Sequence, residues 1–206
     1  MLNQIFEKGI VPAIPIFVDS PLSVNTTAIF RLHPECFDKE TISFMNKHHD
    51  PFGFEKLKYI TDVEDSKKLN EIDGPCMIIS ASGMAEAGRI LHHLSNNVAN
   101  PNNIILIVGY CAEHTLGRRI VGRQPEIKIF GDIFPLNAEV VVLNSLSAHA
   151  DANELIDYCT KFDKNKMKNF FIVHGDEDQQ IKFRDRLYAA GFNSVTIPSR
   201  GDVFSL

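Results

Sequence analysis

Apolar residues fall along this chain in short runs parted by polar turns that carry glycine or proline. Ala13-Ile-Pro-Ile-Phe-Val18, Gly74-Pro-Cys-Met-Ile-Ile79 and Ile104-Ile-Leu-Ile-Val108 are nearly continuous and rich in β-branched residues, the pattern of strands buried on both faces. Leu57-Lys-Tyr-Ile60 reads as a further short strand. Between these runs the apolar spacing is helical. A helix is predicted from Pro21, capped by Asp19 or Ser20, through 49 with a break at His33-Pro34. Another covers the charged stretch Asp62–Leu69, and a third starts in the small-residue turn at Ser80-Ala-Ser-Gly83 and runs to Leu94. Strands alternating with helices predict a parallel, right-handed α/β sheet. The first residues read as the last turns of an amphipathic helix stopped by Gly9, so the chain is expected to begin within a domain.

From about Arg123 the grammar changes. Glu126-Ile-Lys-Ile-Phe130 alternates, Gly131-Asp132 suggests a tight turn, and Ala138–Leu143 is another strand, which together predict antiparallel pairing. Two apolar runs then lead into histidines. Val140-Val-Val-Leu-Asn-Ser-Leu-Ser-Ala-His149 is followed by a predicted helix at 151–162. Phe170-Phe-Ile-Val-His174 is followed by one at 177–190 with Gly191 as its C-cap and a last strand near Val195-Thr-Ile197. A strand ending at an imidazole puts that ring at the carboxyl edge of a sheet, where open α/β folds bind ligands.

Composition narrows the class. The 206 residues are 44% hydrophobic and 23% charged, which suits a globular protein with a sizeable core. A net charge of −5 gives no global field for nucleic acid, so any such contact must be local. No apolar run approaches the ~18 residues of a membrane span. The four cysteines form no C-x-x-C pair; Cys76 and Cys111 adjoin apolar runs and read as buried thiols, which fits a reducing, cytoplasmic setting. No G-x-G-x-x-G or G-x-x-x-x-G-K-[ST] is present, which disfavours a nucleotide-binding domain.

Several motifs in order resemble the β-CASP branch of the metallo-β-lactamase superfamily. They are Val18-Asp-Ser-Pro-Leu, Ile78-Ile-Ser-Ala-Ser-Gly-Met-Ala-Glu-Ala-Gly-Arg-Ile-Leu-His-His-Leu, Val108-Gly-Tyr, Thr115-Leu-Gly-Arg-Arg, Ser147-Ala-His-Ala-Asp and Val173-His-Gly-Asp. The likeness covers essentially the whole chain and is strongest to prokaryotic relatives of the mRNA cleavage-and-polyadenylation endonuclease. It implies a Rossmann-like, parallel-sheet β-CASP domain over 1–125. The C-terminal αβ segment of a metallo-β-lactamase fold would follow over 126–206. It also implies a zinc-dependent, RNA-processing nuclease that hydrolyses phosphodiester bonds with two zinc ions. By the same likeness His149 is a catalytic residue near the leaving group and His174 a zinc ligand. The family's H-x-H-x-D-H motif does not occur, nor do its later His and Asp ligands or the carboxylate of its first β-CASP motif. The chain is therefore expected to be the C-terminal part of such a nuclease, inactive alone and unable to hold the zinc pair. A non-catalytic RNA-binding or scaffold member of the family is the alternative. RNA is the expected partner, no membrane is expected, and a homodimer is left open, because 126–206 would expose apolar surface. Family members usually carry Gln where Cys111 stands and Gly where His114 stands.

Other residues have two readings each. Ser80, Ser82, Gly83 and Met84 suit a backbone phosphate at a helix start, or are simple caps. Arg118 and Arg119, with Arg123, suit RNA phosphates, or are a solvated helix face. Asp151 is a local partner for His149 or, preferably, the cap of the following helix, a role Ser147 could also fill. His92-His93 lie mid-helix, where adjacent residues face apart, and His48-His49 lie in a turn, so neither pair reads as a metal site.

Overall fold

The computed structural model describes residues 2–48, 50–146 and 149–205. By contacts the chain divides into two compact units, Met1–Ser147 and Ala148–Leu206.

In the first unit, helix α1 (Leu2–Glu7) ends as the pattern predicts, with Gly9 at φ +61°. Strand β1 (Ile16–Val18) is buried along its whole length. Pro15 precedes it, and its carbonyl accepts from the Met77 amide. Helix α2 (Pro21–Leu32) starts on proline, and of the two available caps it is Ser20 that accepts from the Ser23 amide. A 3-10 turn at Pro34–Cys36 separates it from α3 (Lys39–His48). Of the His48-His49 pair, the His48 side chain and the whole of His49 lie outside the described residues. Strand β2 (Leu57–Tyr59) is followed by α4 (Val63–Lys68), whose cap Asp62 accepts from the amides of Glu64 and Asp65. Strand β3 (Met77–Ile79) completes a parallel sheet in the order β2-β1-β3, in which Val18 is level with both Tyr59 and Ile79. Asp19, Ile60 and Ser80 therefore leave the sheet together at its carboxyl edge.

Helix α5 (Ile90–Asn97) begins well beyond the expected start at Ser82-Gly83. The reason is backbone geometry: Ala85 at φ +55° and Gly88 at φ +86° lie in the left-handed region, which no right-handed helix passes through. Strand β4 (Ile104–Ile107) and helix α6 (Leu116–Val121) follow. Strands β5 (Glu126–Ile129) and β6 (Asp132–Pro135) form the expected antiparallel hairpin. Its turn is Phe130-Gly131, both at positive φ, one residue before the predicted Gly131-Asp132.

Strand β7 (Glu139–Val142) departs from the expectation: it pairs with β4 in parallel, not with the hairpin. The Asn137 and Ala138 amides bond to the Val98 carbonyl, and the Glu139 amide to that of Asn103, which starts β7 beside β4. The described parallel strands of this unit thus form a three-stranded and a separate two-stranded sheet rather than one. Ala85, Leu94, Val98, Ile120, Ile127 and Val140 share one core.

The second unit is smaller. Asp151 caps α7 (Ala152–Thr160) in a reciprocal capping box with Glu154. Strand β8 (Phe170–Phe171) precedes α8 (Glu177–Ala189), which Gly191 terminates at φ +90°. Strand β9 (Val195–Thr196) runs parallel to β8. Cys159, Ile172, Leu187, Phe192 and Val195 form its core. The architecture is α/β, and among the described residues no helix is long and apolar enough to cross a membrane.

Candidate functional site

The carboxyl edge of the β2-β1-β3 sheet holds a cluster that sequence reading missed. Asp19 is fully buried there. Its carboxylate accepts from Arg89 Nη1 at 2.6 Å, from Ser66 Oγ at 2.5 Å and lies 2.6 Å from His93 Nε2. Burial by itself would raise this carboxyl; the hydrogen bonds from Ser66, His93 and Arg89 outweigh it and hold Asp19 below the usual carboxylate range. Arg89 also donates to the carbonyls of Ile60 and Thr61, at 3.2 and 2.7 Å. The signal available in the sequence was a strand ending on an aspartate, but Asp-Ser-Pro reads equally well as a helix start.

The turn from Ser80 to Gly88 springs from this edge. The Ser80 hydroxyl donates inward to the Asp19 carbonyl at 2.8 Å. Ser82 caps a turn rather than a helix, accepting from Ala85 through its carbonyl and from Glu86 through its hydroxyl. Gly83 and Met84 are exposed, and their amides have no protein acceptor among the described residues. Such successive N–H groups in a turn suit an anion. The Gly88 Cα lies so close to the Ala81 carbonyl oxygen that a Cβ would come within 2.8 Å of it.

The structure brings this turn against the start of α6, and with it Arg118 and Arg119. The Gly117 amide donates to the Met84 carbonyl at 2.8 Å, the Glu86 carboxylate accepts from the Leu116 amide, and Cys111 Sγ lies 3.6 Å from the Gly83 carbonyl. Burial pushes the Cys111 thiol up, so it is an inert packing group here. Cys76 is only half-buried. Glu86 occupies the α6 N-terminus, leaving anion contacts to the exposed turn and the arginines. Arg118 pairs with Glu113 at 2.9 Å and Arg119 donates to the His114 carbonyl at 3.3 Å. Arg123 donates to the Val140 carbonyl, away from that pair. His92 stacks on Phe130 and His93 is spent on Asp19, so the adjacent pair splits as helical geometry requires.

The predicted histidines both lie in the second unit. His149 does not end a strand: β7 stops at Val142 and a 3-10 turn at Asn144–Leu146 intervenes. It is exposed and precedes the capping residue Asp151, whose carboxylate accepts from the Asn153 and Glu154 amides and is thereby accounted for as a cap. Ser147, the other proposed cap, lies outside the described residues. His174 follows β8 closely, is exposed, and sits at φ +67°. That left-handed backbone is uncommon for a residue with a side chain. The chemistry of zinc asks for three or four N, S or O ligands. Among the described residues no three His, Cys, Asp or Glu side chains gather to supply them, so these residues alone do not fit the ion.

Parallel strands whose carboxyl edge opens into small-residue turns define an α/β protein built to approach a ligand through its backbone. Comparison with known proteins gives that class its family. A model of the Beta-Casp domain matches residues 1–120, and one described as a Zn-dependent metallo-hydrolase RNA specificity domain matches 133–198. The chain belongs to the β-CASP family of the metallo-β-lactamase superfamily. It is 32% identical to Ribonuclease TTHA0252 of Thermus thermophilus over 83% of this chain and 38% of that protein. It is 28% identical to the transcription termination factor FttA of Methanosarcina mazei over 91% of this chain and 30% of that one. To an RNase J-like protein of Methanocaldococcus jannaschii it is 27% identical over its whole length and 46% of the relative. The chain thus spans less than half the length of these relatives.

Proposed function

We propose that this chain is the β-CASP and RNA-specificity portion of a zinc-dependent nuclease that processes RNA by hydrolysing phosphodiester bonds. The observation that carries the reading is the succession of the two family models, the second described as an RNA specificity domain, along a chain related to a ribonuclease. In this reading residues 126–206 are the returning segment of the metallo-β-lactamase domain. His149 acts at the leaving group and His174 supplies a single imidazole towards zinc. The turn at Ser80, Ser82, Gly83 and Met84, with Arg118 and Arg119, holds backbone phosphates of the RNA. Chemistry at the metal requires ligands beyond those described here, so the 206-residue chain alone binds RNA without cutting it.

The test uses the purified chain with labelled single-stranded RNA. Binding that weakens steeply with salt and no cleavage with added zinc is the expected result. Robust cleavage by this chain would overturn its inactivity. Absence of RNA binding at low salt would overturn the RNA reading. A non-catalytic role in RNA binding is the second reading; some relatives carry the name of a transcription termination factor rather than of a ribonuclease.

A further inference from the structure

We propose that Asp19 is a positioning residue that holds both ends of the RNA-facing turn, one through its main-chain carbonyl on Ser80 and the other through its carboxylate on Arg89, with a doubly protonated His93 bracing the same carboxylate. The proposal rests on the reading of that turn as an RNA contact. One end of the turn is fixed by the Ser80 hydroxyl on the Asp19 carbonyl, 2.8 Å away. The other end is fixed by Arg89, 2.6 Å from the Asp19 carboxylate. Arg89 simultaneously ties down the carbonyls of Ile60 and Thr61 at the end of β2. A single buried residue thus holds both stems from which Ser82, Gly83 and Met84 project, one through its main-chain carbonyl and the other through its carboxylate.

The protonation of His93 follows from the direction of its neighbours. Asn103 Nδ2 donates to Asn97 Oδ1 at 2.9 Å, and Asn97 Nδ2 donates to Asn70 Oδ1 at 3.1 Å. Asn70 Nδ2 turns to the Lys67 carbonyl, so it is the Asn70 oxygen that faces His93 Nδ1, at 2.9 Å. On the other side Nε2 faces the Asp19 carboxylate at 2.6 Å. Both ring nitrogens meet acceptors, and the form that satisfies both is the imidazolium. Asp19 then lies between two cations and a hydroxyl donor, and no buried side-chain polar atom among the described residues is left without a partner. The ring itself meets Asp19 at the end of β1 and Asn70; Arg89 and Ser66 share the Asp19 carboxylate, and Asn97 donates to Asn70.

The test compares three forms of the chain by RNA affinity, amide hydrogen exchange and imidazole nitrogen NMR. Gly83→Val adds bulk where a Cβ would meet nothing within 4 Å, so it blocks the outer face of the turn without touching the fold. It should weaken RNA binding by about tenfold or more with unchanged thermal stability, because backbone approach is what it removes. Arg89→Lys keeps the charge on Asp19 but loses the forked ties to Ile60 and Thr61. It should speed exchange of the amides at 82–88 by about tenfold, leave the β5–β6 hairpin unchanged, and weaken RNA binding by roughly three- to tenfold. In the wild-type chain both His93 nitrogens should resonate as protonated. If Gly83→Val leaves RNA affinity unchanged, the reading of the turn fails. If Gly83→Val weakens binding but Arg89→Lys changes neither exchange nor affinity, or His93 carries one proton, the clamp fails while the reading stands.

Discussion

The Gly117 amide meets the Met84 carbonyl at 2.8 Å, and no side chain fits between the two backbones. A Cβ on Gly117 would stand 2.9 Å from that carbonyl oxygen and 2.8 Å from Cys111 Sγ. One neighbour is backbone and the other a buried thiol, so neither yields. Gly117→Ala is expected to cost about 1–3 kcal/mol, the range for overpacking a closed contact. Because the strain falls on the turn, RNA affinity should drop with it. Urea unfolding and RNA titration of the same variant check both; a variant as stable as wild type would show that α6 can shift away from the turn.

Asp19 gives the stability a pH dependence of fixed sign. Its carboxyl is held below the ordinary value of 3.8 in the folded chain. A group lowered on folding contributes stability that is fully present above its unfolded value and is lost as pH falls through its folded one. The stability difference between wild type and Asp19→Asn should therefore be large at pH 6 and shrink below about pH 4. At neutral pH the deficit should be on the order of 1–3 kcal/mol, since the change removes the charged acceptor that Arg89 and the buried Ser66 hydroxyl share. Should that variant not fold, Ser66→Ala removes one donor to the same carboxylate and shows the same convergence in smaller measure. A difference constant with pH would place the ionised carboxylate outside the stabilising cluster.

Asp151 separates two roles, a partner for His149 and a helix cap. The structure shows it accepting from the Asn153 and Glu154 amides, with Glu154 reaching back to its own amide. Asp151→Ala should cost about 1 kcal/mol and Asp151→Asn much less, because asparagine caps as well as aspartate does. A partner role that needs the charge would instead make the two variants alike in RNA cleavage by any active form of the protein. Thermal unfolding of the pair, read beside cleavage, decides between them.

How much of this was legible depends on how far apart in sequence the partners lie. Caps and stops are local, and Ser20, Asp62, Asp151 and Gly191 stand where side-chain chemistry places them. The parallel strands and the β5–β6 hairpin follow from periodicity, which is also local. The Asp19 cluster is not local: Arg89 and His93 lie 70 and 74 positions away, and no spacing rule links them. The start of α5 differs from the expected one because 83–94 has helical spacing throughout; in the sequence only Gly88 hints at a left-handed residue, and Ala85 gives no sign. The pairing of β7 with β4 was hidden for the same reason as the cluster, since the amides that set it bond to Val98 and Asn103 rather than to neighbours in sequence. His114 is the reverse case. The family resemblance leads one to expect glycine there, and the structure puts His114 at φ +68°.

That left-handed backbone makes His174 and His114 a matched pair for the last prediction. Both carry a side chain at φ near +67°, both are exposed, and neither ring is part of a buried core. Replacing either with glycine relieves the backbone but loosens the unfolded chain, so the net gain is a few tenths to about 1 kcal/mol. Replacing either with alanine keeps the strain and should gain nothing. The glycine-minus-alanine difference, taken from urea unfolding, therefore measures the strain itself. The two sites diverge in function. In a form of the protein that cleaves RNA, His114→Gly should leave cleavage intact, because the family reading gives that ring no task. His174→Gly and His174→Ala should both abolish cleavage, because neither keeps the imidazole. A strained residue whose removal stabilises the fold and silences the enzyme is one kept for its chemistry. If His174→Gly instead destabilised the chain, the ring would be a packing group and its assignment towards zinc would fall.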